Sequence, residues 1–206
     1  MKRVARVIVV SCVFAAGATL ARAEQMKMAE PMMDPAKQAA MEAMQQLGSP
    51  SEGHKALEPF VGTWTYTAQW WMSPDGAPES MRGTTTSRLI FGGRFLQQEV
   101  RGEVEGQPPF EGIGLTGYDN IRKEYSSAWL DNMSTGIMTG TGQFDHSTNT
   151  LTEHSDFSCP MTGEAHRTAR AVWTVVDPDH NTYESYMRTP EGAEYKAMRI
   201  EYARAQ

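Results

Sequence analysis

From residue 63 onward the chain alternates short β-branched and aromatic runs with turn residues, and no gap between runs can hold a crossover helix. Strands are expected near 63–72, 80–91, 94–104, 110–118, 123–131, 135–144, 150–157, 164–176, 181–189 and 194–203. Their links include Ser73-Pro74-Asp75-Gly76, Gly92-Gly93, Asp119-Asn120, His146-Ser147-Thr148-Asn149 and Pro190-Glu191-Gly192, which supply the positive or preset φ of tight hairpins. Strands joined this way are antiparallel neighbours in chain order. A sheet of ten such strands hides its edges by coiling and closing. The expectation is an all-β, ten-stranded antiparallel up-and-down barrel, with a two-sheet sandwich as the alternative.

What precedes the hairpins is different in kind. Lys2, Arg3 and Arg6 form a basic start, Val7 to Leu20 are apolar or small, and Ala21-Arg22-Ala23 offers a small-x-small cleavage site. Residues 1–23 therefore read as a secretory signal, with export to the periplasm or outside the cell and Glu24 as the mature N-terminus. The apolar run is short for a membrane span, so no stable membrane insertion is expected after cleavage. Cleavage removes four cations and takes the net charge from −6 to −10. An acidic surface argues against nucleic acid, because phosphate binding depends on Lys and Arg. Cys12 leaves with the signal and Cys159 stays alone, so packing and not a disulfide must stabilise the product.

Residues 24–53 form a Met-rich leader whose clear element is a helix from Pro35 to Leu47. Asp34 is placed to cap it, Pro35 suits its first position, and Gly48 suits a left-handed stop. Its stripe, Ala36, Ala40, Ala43, Met44 and Leu47, is shallow. Met26, Met28, Met32 and Met33 are soft Cu(I) donors in type, but they are irregularly spaced without His or Cys, and no metal site is assigned to them. A short helical turn from about Glu52 to Glu58, ended by Pro59, leads into the barrel, taken as residues 54–206.

Three segments carry a family resemblance. They are Gly92-Gly93-Arg94-Phe95-Leu96-Gln97-Gln98-Glu99, the run from Phe110 to Asn120 (FEGIGLTGYDN), and the run from Trp129 to Met138 (WLDNMSTGIM). With Gly62-Thr63-Trp64 behind a short helix, which resembles the opening of lipocalin-like barrels, they look like the bacterial domain-of-unknown-function family numbered 1579. The resemblance covers His54 to the C-terminus and implies a calycin-type barrel. It implies no established activity and no catalytic residues.

Hairpin geometry then assigns faces. A turn at Gly92-Gly93 sets Leu89 opposite Leu96, Ser87 opposite Gln98 and Thr85 opposite Val100, with Arg94 and Gln98 as polar groups on the inner wall, Arg94 being either a wet residue at the barrel rim, the commoner case, or a ligand anchor. A connection over residues 119–122 sets Tyr118 opposite Lys123, Thr116 opposite Tyr125, Gly114 opposite Ser127 and Gly112 opposite Trp129, so that large rings lie over bare glycines. Such rings either fill the space or line a pocket. Asp131 and Asn132 follow on the same strand, either as a carboxylate that holds a ligand hydroxyl or amine or, equally, as turn residues. A turn through Cys159 to Gly163 sets Asp156 opposite His166 with His154 nearby, on the face away from Leu151, Phe157, Ala169, Ala171 and Trp173, and so towards solvent.

The pocket reading gives a ligand-binding set of Arg94, Gln98, Tyr118, Tyr125, Trp129 and Asp131, a small apolar or amphipathic partner, and no cofactor. Two other classes compete with it. An enzyme would use Asp131, Glu99 or Tyr118 as general acid or base, with a carboxylate pKa raised by apolar walls. A haem-binding barrel would need a His on an inner wall. His-Glu-x-x-His, Gly-x-Ser-x-Gly and phosphate-loop patterns are all missing from the sequence.

Overall fold

The computed structural model describes residues 34–103, 106 and 108–206; the expected signal, its expected cleavage site and the four leading Met residues lie outside the described residues. Helix α1 (Pro35–Leu47) starts as its caps dictate, with Asp34 Oδ1 accepting from the Ala36 amide at 2.9 Å. Gly48 ends it with φ −84°, in the right-handed region and not as a left-handed stop. None of its side chains is buried. Helix α2 (Glu52–Lys55) and a 3-10 turn (Glu58–Phe60) follow, and Pro59 lies inside that turn instead of ending the helix before it.

Ten strands complete the chain: β1 (Gly62–Trp70), β2 (Glu79–Ile90), β3 (Phe95–Glu103), β4 (Phe110–Asp119), β5 (Glu124–Asp131), β6 (Met138–Asp145), β7 (Thr150–Cys159), β8 (Glu164–Asp177), β9 (His180–Arg188) and β10 (Glu194–Arg204). Each pairs with its neighbours in sequence, and β1 pairs with β10 to close an antiparallel barrel. Closure leaves no strand edge to template aggregation.

Two hairpin registers differ from expectation. The β4–β5 loop begins at Asn120, because the Asp119 carboxylate stays on the strand and accepts from the Ile121 and Arg122 amides at 2.7 and 3.1 Å. Lys123 takes the left-handed conformation with φ 59°. Partners therefore move by two: Tyr118 faces Tyr125, Thr116 faces Ser127, Gly114 faces Trp129 and Gly112 faces Asp131. A slip of two preserves the face, so every inward residue stays inward. Between β7 and β8 a bulge falls between Phe157 and Cys159, and Asp156 pairs with Thr168 instead of His166. The β2–β3 register is as expected, although its loop spans four residues, with Ile90 and Phe95 as the closing pair.

Three of the hairpins at one end, β2–β3, β4–β5 and β6–β7, have four-residue loops, and this orders the interior in layers. The first inward layer is Leu89, Leu96, Tyr118, Tyr125, Phe144 and Leu151. Ala56, Leu57 and Phe60 press into it from α2 and the 3-10 turn, and together they plug that end. Tyr118 lies flat against Gly53, where any Cβ would strike its ring, and Tyr125 donates its hydroxyl to the Gly53 carbonyl at 2.6 Å. Beside the plug, Trp64, Tyr66, Ala68 and Tyr202 form a second apolar cluster along β1 and β10.

Candidate functional site

One layer above the plug the interior changes character. The residues two positions further along the same six strands are Ser87, Gln98, Thr116, Ser127, Gly142 and Glu153. Burial is deepest at Ser87, Gln98 and Glu153, which are 3%, 7% and 6% exposed. Thr85, next along β2, is 1% exposed. A polar belt thus lies across a barrel whose floor is apolar.

Buried polar atoms in folded proteins nearly always find a hydrogen-bond partner. Here the Thr85 Oγ1, Ser87 Oγ and Glu153 Oε1 atoms find none among the described residues. Each orphan costs about 1–3 kcal/mol if nothing satisfies it. Glu153 carries the heaviest penalty, because burial pushes its carboxyl above the ordinary value, and the Ser127 and Trp173 side chains only partly oppose that shift. Tyr183 is pushed up to about 12, first by its own burial and then by the Glu153 charge, which places the phenol in the same electrostatic neighbourhood.

Toward the other end, the wall turns aromatic again but stays half open. Trp129 and Phe110 stack with centroids 6.3 Å apart, and both are half-buried, as are Met138 and Phe157. The Trp129 ring lies over Gly112, where a Cβ would collide with it, so the pairing of a ring with a bare glycine survives the shifted register diagonally. Its indole Nε1 donates to Asp131 Oδ2 at 2.8 Å, and Asp131 Oδ1 accepts from the Met133 amide at 2.9 Å. Arg167 stands at this mouth, 3.7 Å from Glu164, with Nη1 donating to Cys159 Sγ at 3.7 Å.

The six residues singled out from sequence are thereby divided among four places. Gln98 lies in the belt, and Trp129 with Asp131 lies at the mouth. Tyr118 and Tyr125 belong to the plug. Arg94 has left the inner wall for the hairpin loop, where Nε donates to the Gly48 carbonyl at 2.7 Å and Nη1 to the Phe91 carbonyl at 2.9 Å. Asn120 works beside it, donating to the carbonyls of Leu47 and Ser49, so both residues tether the end of α1. Glu99 projects outward to Arg88 at 3.1 Å and cannot serve chemistry inside.

Glu153 was missed, although alternation carried the signal. It lies between Leu151 and Phe157 on the inward face and pairs with Gly142 and Ala171. On the outward face of the same strand His154 and Asp156 are exposed, as is His166 on the neighbouring β8, as expected. His146 and His180 are exposed too, and the buried His54 sits in α2 with Nδ1 accepting from the Ser51 amide at 2.9 Å. Among the described residues, no strand therefore offers an inward imidazole of the kind that the haem reading requires.

This geometry agrees with the comparison of the sequence with protein families. Residues 49–204 match the family described as "Protein of unknown function (DUF1579)". The chain belongs to this family. The match begins five residues before the expected boundary at His54, and it takes in Ser49, Ser51 and Gly53, whose contacts seal the plug. No curated protein matches the sequence. Among solved structures, the crystal structure of Rv2717c from M. tuberculosis is similar at 14% identity and a TM-score of 0.57, over 77% of this chain and all of that one. A de novo designed fluorescence-activating β-barrel matches at 18% identity and a TM-score of 0.38, over 73% of this chain and 97% of its own. At these identities the first likeness bears on the fold of this family member and not on its activity.

Proposed function

We propose that the protein binds a small amphipathic molecule inside the barrel, entering by the mouth at Trp129 and Phe110 and resting its polar part on the belt. The observation that carries this reading is the set of orphaned buried oxygens on Thr85, Ser87 and Glu153 above a floor that offers them nothing. Half-buried aromatic walls supply apolar contact to the rest of the molecule, in keeping with how ligand sites combine a few placed polar groups with apolar lining. Titration with Nile red, an uncharged dye, should show saturable uptake near one equivalent with quenching of Trp emission. Trp129→Ala should weaken that uptake by about tenfold, since it removes about 1.4 kcal/mol or more of contact. Absence of saturable uptake by the wild-type protein would end this reading.

An enzyme is the second reading, and it now points to a different residue. The carboxyl raised by burial is Glu153, not Asp131, whose two oxygens are already engaged by Trp129 and Met133. A carboxyl held above its ordinary pKa is suited to general acid–base work. The basic, apolar and small-x-small start supports a site of action outside the cytoplasm for either activity. N-terminal sequencing of the protein from its own host should return Glu24 first, and a retained residue 1 would overturn the export reading.

A further inference from the structure

The belt also discriminates among heads. We infer that the molecule bound inside the barrel presents a hydrogen-bond-donating head, an amine or an alcohol, to Glu153, and that carboxylate-headed amphiphiles such as fatty acids are excluded. This rests on the ligand-binding reading above and deepens it.

Three observations on the interior support it. The belt residues Ser87, Gln98, Thr116, Ser127 and Glu153 include one acid and no Lys or Arg. The cations nearest the barrel ends are engaged elsewhere: Arg94 with backbone carbonyls, Arg204 over the Trp64 ring and on the Pro178 carbonyl, and Arg167 at the mouth with Cys159 and Glu164. A carboxylate lowered to the belt would meet a second acid, Glu153, and no counter-charge, so one of the two must be protonated or the pair repels out of water, and either way burying the anion is costly. Conversely, Glu153 Oε1 is an acceptor without a donor, while the Ser127 and Trp173 side chains already favour its charged form. A donor head supplies the partner that the fold withholds, and an ammonium supplies charge as well. The unpartnered hydroxyls of Thr85 and Ser87, on β2 of the same barrel interior, can both donate and accept, so they are compatible with either head.

Competition against bound Nile red tests this with three ligands of one chain length: dodecylamine, dodecanol and dodecanoate. Wild-type protein should rank the amine first, the alcohol second and the carboxylate last, with at least tenfold between amine and carboxylate. Glu153→Gln should cost the amine tenfold, change the alcohol by less than threefold, and narrow the gap to dodecanoate. If Nile red binds and dodecanoate displaces it as well as dodecylamine, the head-group inference falls while ligand binding stands. If Nile red does not bind, both fall. The ranking is read on wild-type protein, so it decides the matter even if Glu153→Gln does not fold.

Discussion

Trp64→Ala should remove about 3–5 kcal/mol of stability, the range for deleting a large buried ring and leaving its cavity. Trp64 is 2% exposed and packs with Tyr66, Ala68 and Tyr202. Its indole also donates to the Phe60 carbonyl at 3.1 Å, and the Arg204 guanidinium lies 4.2 Å over its ring. One side chain therefore holds the plug, the first strand and the last. Domains of ordinary stability have about 5–15 kcal/mol in total, so the variant should melt far below the wild type or fail to accumulate folded. Urea unfolding followed by circular dichroism measures it. A loss under 1 kcal/mol would mean that the barrel seam does not depend on this ring.

The second large effect depends on pH. Because burial raises the folded carboxyl of Glu153 above its ordinary 4.5, the folded state holds a proton that the unfolded chain has already released. Below 4.5 both states are protonated and Glu153 costs nothing by this route. As pH rises from there through the folded pKa, the unfolded state is increasingly favoured, by about 1.4 kcal/mol for each unit separating the two values. Glu153→Gln abolishes this titration. The melting temperature of the variant relative to the wild type should therefore climb between pH 4 and pH 8, whatever constant offset the amide introduces. A gap independent of pH would show that Glu153 titrates as it does in the unfolded chain.

Much of this architecture was legible in advance, and the reasons are local. Hairpin residues such as Gly92-Gly93 and the helix signals Asp34, Pro35 and Gly48 act through neighbouring backbone, so strand count, strand order and the limits of α1 could be read directly. Register was harder. Whether Asp119 ends a strand or opens a loop depends on a carboxylate folding back onto two amides, which the sequence permits but does not compel. The site was only half legible, for a different reason. Aromatic residues advertise themselves, so Trp129 and Tyr125 were found, but one proved to line a mouth and the other to plug a floor. Distance from the loop makes that distinction, not residue type. Glu153 was passed over because an acid in a strand normally marks the wet face. Its parity with Leu151 and Phe157 contradicted that habit, and parity was the sounder guide.

The seam between β1 and β10 governs the order of events in folding. Hairpins of adjacent strands can form as soon as their residues are available, since closing a short loop takes little time. The ring cannot shut until Arg204 reaches Val61, 143 positions back along the chain, where its guanidinium donates to the carbonyl at 3.1 Å. Loop-closure entropy makes so distant a contact slow. Until it forms, β1 and β10 each lack one neighbour and the inward layers stay open to water, so the interior is covered only once the last strand is in place.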